Sequence, residues 1–245
     1  EQMRGFAAQG FTGLFIHARA GLKIPYFSKI WFDRFGLAIS IAKKWNMEIG
    51  IYDENGWPSG FGNGAVNGLG ERYWQKKLVL EKSFLSSPHR KLLAAYKKVG
   101  RKYVRCTETE GELFAVIEEI PEYVDLLSPF VTDAFLAASH EVYRKHFGDE
   151  FGTTIKYLFT DEPQLAAPYA YTENLEKIFL EEYGYDILNE LWRFGVETRE
   201  FSKFHFDYRS LISKLFHRNY TQKVSDWCEK NKLYMTGHFA CEENT

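Results

Sequence analysis

The chain has 245 residues, 45% of them hydrophobic and 26% charged, a balance that supports a folded core and excludes both intrinsic disorder and a fibre. Its 31 Lys and Arg against 33 Asp and Glu leave a net charge of -2, so there is no electrostatic footprint for nucleic acid or an anionic membrane surface. No stretch approaches the roughly 18 consecutive apolar residues of a membrane span, and aromatic side chains reach 17%, a surplus suited to a large core or to a cleft that stacks on sugar rings.

Short β-rich runs alternate with amphipathic helical patterns, the sequence form of βα units and a parallel sheet. A helix over 2–9 is expected to precede a buried strand at 11–17, FTGLFIH. Ser28 is placed to cap a helix carrying Trp31, Phe32, Phe35, Ile39 and Ala42 at helical spacing, with Lys43 and Lys44 in its last turn. A second strand follows at 47–52, MEIGIY, and then a loop at 55–70 with six Gly and one Pro in sixteen residues. So long a loop after a strand is usually functional.

Between 72 and 120 the periodicity changes to short strands separated by polar turns, which we read as a β-rich insertion. Regular order resumes with a strand at 123–127 and a helix from Pro129, capped by Ser128, to about His146. IKYLFT at 155–160 is the fourth strand of the regular series. Thr172 is expected to cap a helix, residues 183–194 to form another, and residues 204–230 a long one, before a last strand at 233–238, LYMTGH. This order predicts an α/β fold, part of an eight-stranded β/α barrel of the TIM type, in a single catalytic domain over 1–245 that is incomplete. We expect a fragment or processed chain, with the remaining barrel strands either beyond Thr245 or missing, because such a barrel needs about 250 residues without the insertion. Cys106, Cys228 and Cys241 form no C-x-x-C pair, which argues against a disulfide framework and a structural zinc site.

In a β/α barrel the chemistry sits at the C-terminal ends of the strands. There the sequence places His17 and Arg19, Asp53 and Glu54, Asp161 and Glu162, and His238 followed by Glu242 and Glu243. Alternation puts Gly50, Tyr52 and Glu54 on one strand face and Leu158, Thr160 and Glu162 on another, so that Glu54 and Glu162 are both expected to point inward. Paired carboxylates at a shared rim are what acetal cleavage requires: one protonates a poor alkoxide leaving group while another activates water or attacks. An isolated Asp-Glu pair at a strand end is more often a helix cap or surface ion pair; its repetition at successive strand ends favours chemistry.

YDENGWPSGFGNG (52–64), FIHARAGLKIPYFS (15–28), FTDEP (159–163) and DWCEKNKLYMTGHFACEE (226–243) together resemble the α-L-rhamnosidase glycoside hydrolases of family 106 and their relatives. The resemblance spans nearly the whole chain. It implies a catalytic β/α barrel within a larger multidomain protein, usually secreted or periplasmic, that inverts stereochemistry with the assistance of calcium. It further implies Glu162 as general acid, Glu242 or Glu243 as base, and an oligosaccharide or glycoside as substrate, with the remaining barrel strands and β-sandwich domains absent here.

Other readings stand beside this one. His17 and His238 are either imidazoles satisfied by backbone groups or residues that bind substrate hydroxyls or a metal. The other five histidines are expected to be ordinary surface or core residues. Trp57 is the one tryptophan read as a sugar platform; Trp31, Trp45, Trp192 and Trp227 sit at helical spacing and are expected in the core. Asp53, Asp161 and nearby carboxylates suit an oxygen-coordinated ion, but no EF-hand spacing exists. The competing functions are a non-catalytic carbohydrate-binding barrel and, last, a metal-dependent amide or ester hydrolase, for which the His-x-His of a first strand is missing.

Overall fold

The computed structural model describes residues 1–196 and 202–239. In chain order its first elements are α1 (Gln2–Ala8), β1 (Gly13–Ala18), α2 (Lys29–Lys44), β2 (Glu48–Asn55), β3 (Trp74–Glu81), β4 (Arg90–Val99), β5 (Lys102–Cys106) and β6 (Leu113–Val124). Then come α3 (Pro129–Phe135), α4 (Glu141–Phe147), β7 (Ile155–Asp161), β8 (Tyr169–Tyr171), α5 (Leu175–Tyr183), α6 (Arg193–Val196), α7 (Lys203–Phe216), α8 (Gln222–Lys230) and β9 (Tyr234–His238). The chain divides into two compact units, one of Glu1–Gly68, Phe130–Gln164 and Thr221–Thr245, the other of Leu69–Pro129 and Leu165–Tyr220. No helix of the described residues is long and apolar enough to cross a membrane.

The first unit holds a four-stranded parallel sheet in the order β1-β2-β7-β9. These are the strands expected at 11–17, 47–52, 155–160 and 233–238, each shifted by no more than a few residues. Helix α2 forms as its sequence indicates: the Ser28 Oγ accepts from Trp31 N at 3.3 Å, and Trp31, Phe32, Phe35, Ile39 and Ala42 are all buried. Phe35 packs on Tyr143 of α4 and on Phe147, while α8 buries Val224, Trp227 and Cys228. Burying one such aromatic is worth roughly 1.5–3 kcal/mol.

The second unit is a five-stranded antiparallel sheet in the order β5-β4-β6-β3-β8. Leu78, Tyr96, Ala115 and Ile117 form a core with Leu175 and Phe179 of α5 and Phe204, Tyr208, Leu211 and Leu215 of α7. The buried Tyr96 hydroxyl donates to Leu188 O at 2.7 Å, which spares it the cost of an unsatisfied buried polar group. The strands of the β-rich stretch at 72–120 thus pair further with β8 and share a core with helices from Leu165–Tyr220.

The structure is mixed α/β, with a parallel sheet of four strands and α2, α4 and α8 in the same unit; the described residues do not close an eight-stranded barrel. Several local expectations need correction. Tyr123 and Val124 do not begin a parallel strand at 123–127 but end the long antiparallel β6, because the pairing of β6 with β3 outlasts its apolar run and continues to Trp74↔Val124. Thr172 does not cap α5, since its hydroxyl donates to Asp125 Oδ2 at 2.6 Å and the N-cap position is Asn174. The helix expected at 183–194 is broken by Gly184, which takes φ +76 as C-cap of α5, leaving a short 3₁₀ turn at Ile187–Asn189 and α6. The long helix expected over 204–230 is realised as α7, a π-helical turn at His217–Thr221 and α8. Trp45 is 48% exposed rather than core, because it stands just past the end of α2 as its C-cap, off the buried stripe.

Candidate active site

Strand alternation gives the parallel sheet two unlike faces. Ile49, Ile51 and Asp53 of β2 and Leu158 and Thr160 of β7 lie on a buried face. The opposite face is aromatic: Phe15, Gly50, Tyr157 and Tyr234 stand in register across all four strands. Gly50 is required there, since a Cβ at this position would lie 2.2 Å from the Phe15 ring. In the next layer the His17 and Tyr52 rings stack at 3.3 Å and Tyr52 stacks on Phe159 at 5.5 Å. The last member of β7 on this face is Asp161, so it is Asp161 and not Glu162 that follows the alternation of Tyr157 and Phe159. Leu158 and Thr160, expected to share an inward face with Glu162, are 0% and 2% exposed.

Glu162 reaches the same neighbourhood by another route. It follows the last residue of β7 and takes φ +45, a left-handed conformation unusual for a non-glycine residue and often found at functional sites. Its N–H donates to His238 O at 2.9 Å, which ties the end of β7 to the end of β9. The His238 Nε2 then lies 3.0 Å from Asp161 Oδ1 and its Nδ1 4.0 Å from Glu162 Oε1. Tyr52 donates its hydroxyl to Asp161 Oδ2. One atom each from Asp161, Glu162 and His238 fall within 4.8 Å of one another, and Glu162 and His238 are open to solvent at 36% and 41% of their side-chain surface. His17 is half-buried, with Nε2 3.3 Å from Gly56 O, and burial lowers its pKa. It therefore has the backbone contact that one of the two readings of the sequence requires.

Asp53 and Glu54 have different surroundings, both being fully buried. Glu54 Oε2 accepts from Gly62 N at 2.7 Å, and Oε1 accepts from Asn63 N at 2.6 Å and Asn55 N at 3.0 Å, so its carboxyl faces the amides of the Gly-rich loop. Asp53 Oδ1 accepts from Ser59 Oγ at 2.5 Å. That Ser59 Oγ in turn accepts from Asp161 N at 2.7 Å, while Ser59 N donates to Asp161 O at 2.7 Å. Ser59 is thereby a clasp between the loop and β7, held from below by Asp53. Behind it lies the buried His140 of the π-helical turn Leu136–His140, with Nε2 3.9 Å from Asp53 Oδ2. Burial pushes the Asp53 carboxyl well up and holds His140 down to about 3. The neighbouring Ser139 donates its hydroxyl to Asp53 O at 2.5 Å.

Burial raises the Glu54 pKa to about 6, against the opposing effect of the loop amides. A carboxyl raised in the folded state stabilises fully below its unfolded pKa and loses that contribution as pH rises through the folded value. Between about pH 4.5 and pH 7 this group is therefore expected to withdraw about 2 kcal/mol of stability. Urea denaturation of the wild type and Glu54→Gln over this range should show a smaller pH slope in the variant, and equal slopes would exclude the effect.

Trp57, in the loop, is 49% exposed, with the Arg19 guanidinium carbon 5.0 Å from its ring centroid. Glu242 and Glu243 lie outside the described residues. The residues that sequence reasoning passed over are Tyr52, Ser59 and His140. Tyr52 alone had a readable signal, its place on one strand face with Glu54; Ser59 and His140 become neighbours of the site only through folding, from a loop and a helix.

No protein-family model matches the sequence, and no curated protein matches it. A solved structure of a rhamnosidase from Novosphingobium sp. PP1Y does match, with a TM-score of 0.64 and 12% sequence identity, over 97% of this chain and 44% of that chain. The chain shares its fold with part of that structure. At this identity the likeness concerns the fold alone, and the chain spans less than half the length of that neighbour.

Proposed function

We propose that the chain is the catalytic β/α portion of a glycoside hydrolase that removes a terminal deoxysugar, with α-L-rhamnosides the first substrates to test and inversion the stereochemical outcome. The observation that carries this reading is the meeting of Asp161, Glu162 and His238 beside Tyr52 and His17 at the C-terminal ends of parallel strands. The shared fold with a rhamnosidase supports it.

In this mechanism Glu162 donates a proton to the glycosidic oxygen as the bond from that oxygen to the anomeric carbon breaks. Glu242 or Glu243 takes a proton from the water that attacks the opposite face of the same carbon. Inversion requires the two carboxyls to stand roughly 6.5–9.5 Å apart. His238 and His17 offer ring edges for sugar hydroxyls. Asp53 and Glu54 act indirectly, by holding the Gly-rich loop and its Trp57 in place. The calcium implied by the family resemblance would meet, at Asp161, Glu162 and His238, two carboxylates and an imidazole nitrogen. That donor set falls short of the six to eight oxygens calcium takes.

The test is hydrolysis of aryl glycosides of α-L-rhamnose and other deoxysugars, with the anomer of the first-formed product read by proton NMR. Release of the inverted anomer from one of them is the expected result. Binding without turnover across the set, by a protein that contains residues 1–245 in folded form, would replace this reading with that of a carbohydrate-binding module.

A further inference from the structure

The first unit contains a cavity of about 510 Å³ to which the mechanism above assigns no part of the substrate, walled by Arg19, Leu22, Ile24, Tyr26, Asn55 and Trp57 among others. Its volume falls within the range of small-molecule sites. It opens beside the carboxylate cluster: Gly56, also in its wall, donates its N–H to Ala18 O at 2.8 Å and lies with its carbonyl 3.3 Å from His17 Nε2. His17 stacks on Tyr52, which in turn donates to Asp161.

Arg19 is the cation of this wall. Some cations of the same unit form ion pairs, Lys29 with Asp33, Lys43 with Glu150 and Arg144 with Glu141. Among the described residues no carboxylate pairs with Arg19; its guanidinium lies over the Trp57 ring instead. A guanidinium laid on an indole is oriented by it, and the edge of its planar fork stays free to take two oxygens of one anionic group. Leu22, Ile24 and Trp57 supply apolar wall for the C–H faces of a sugar.

We propose that this cavity is a subsite for an anionic glycosyl unit, a sugar bearing a carboxylate or a sulfate ester, which Arg19 recognises by a forked ion pair while the ring rests against the apolar wall. This deepens the glycosidase reading and rests on it for biological meaning, since it makes the substrate an acidic oligosaccharide. Recognition itself needs no turnover, so it is measured apart from hydrolysis.

The experiment is calorimetric titration of the full chain with D-glucuronate, D-glucose 6-sulfate and D-glucose, repeated in 0.3 M NaCl and with Arg19→Gln and Trp57→Ala. At least one anionic sugar is expected to bind tenfold or more tighter than glucose, with the preference reduced in salt. Binding of glucuronate alone identifies a carboxylate ligand, and binding of both identifies a general anion subsite. Arg19→Gln should abolish the preference, and Trp57→Ala should weaken every ligand. Equal binding of glucose and the two anions, or a preference that survives Arg19→Gln, would overturn the proposal. Its failure would leave hydrolysis of neutral deoxysugar glycosides unaffected, and absence of hydrolysis would leave the anion preference measurable.

Discussion

Glu162→Gln is expected to lower turnover on glycosides with poor alkoxide leaving groups by about 10²- to 10⁴-fold, because the amide keeps the shape of the side chain but has no acidic proton to give. Aryl glycosides with activated leaving groups should suffer much less, since their departure needs little protonation. Loss of the base affects both substrate types alike, because water must be activated whichever group departs. Replacing Glu242 and Glu243 in turn, and comparing kcat/KM on the two kinds of substrate, therefore assigns both roles. Near-normal hydrolysis of an unactivated disaccharide by folded Glu162→Gln would remove Glu162 as the acid. Asp161 would then take its place as the candidate, being the carboxylate that shares its face with Tyr52 and lies 3.0 Å from His238.

A comparably large effect, on stability, is expected at Gly237. Strand β9 approaches β7 so closely there that a Cβ would lie 1.9 Å from Thr160 O, a backbone atom that cannot swing aside, and Gly237 has φ +142, a conformation nearly closed to L side chains. Overpacking and backbone strain together should make Gly237→Ala cost about 3 kcal/mol. In the described residues β9 pairs only with β7, so the strand itself should loosen and release His238 from Asp161. Urea denaturation would read the loss, and hydrogen exchange would show it concentrated in the amides of 234–238. An unchanged denaturation midpoint would mean that β9 does not sit as described.

The four parallel strands, helix α2 with its Ser28 cap, and the gathering of ionisable groups at strand ends were legible in the sequence alone, because each is written in local signals: an apolar run bounded by turn residues, apolar positions at helical spacing, a hydroxyl before the first turn. The pairing of β6 with β3 as far as Val124, and the addition of β8 to the same sheet, were not. Both depend on hydrogen-bond partners distant in the chain, for which the sequence carries no local signal.

Within the candidate site the division is sharper. Alternation correctly separated Tyr52 from Asp53, since neighbouring strand residues must point to opposite faces. It could not tell which face of β7 would be covered, and so it assigned Glu162 the direction of Leu158 and Thr160, both of which are buried. Asp161 stands on the aromatic face, while Glu162 approaches His238 through a left-handed backbone turn after the strand. Glu54, expected to point inward from its strand, receives the amides of Asn55, Gly62 and Asn63. Residue types and their order thus determined which strands would carry ionisable groups at their ends. The tertiary structure decided which carboxylates stay open to solvent, because that depends on where buried N–H donors need an acceptor, and the donors at Gly62 and Asn63 are brought to Glu54 only when the loop folds back.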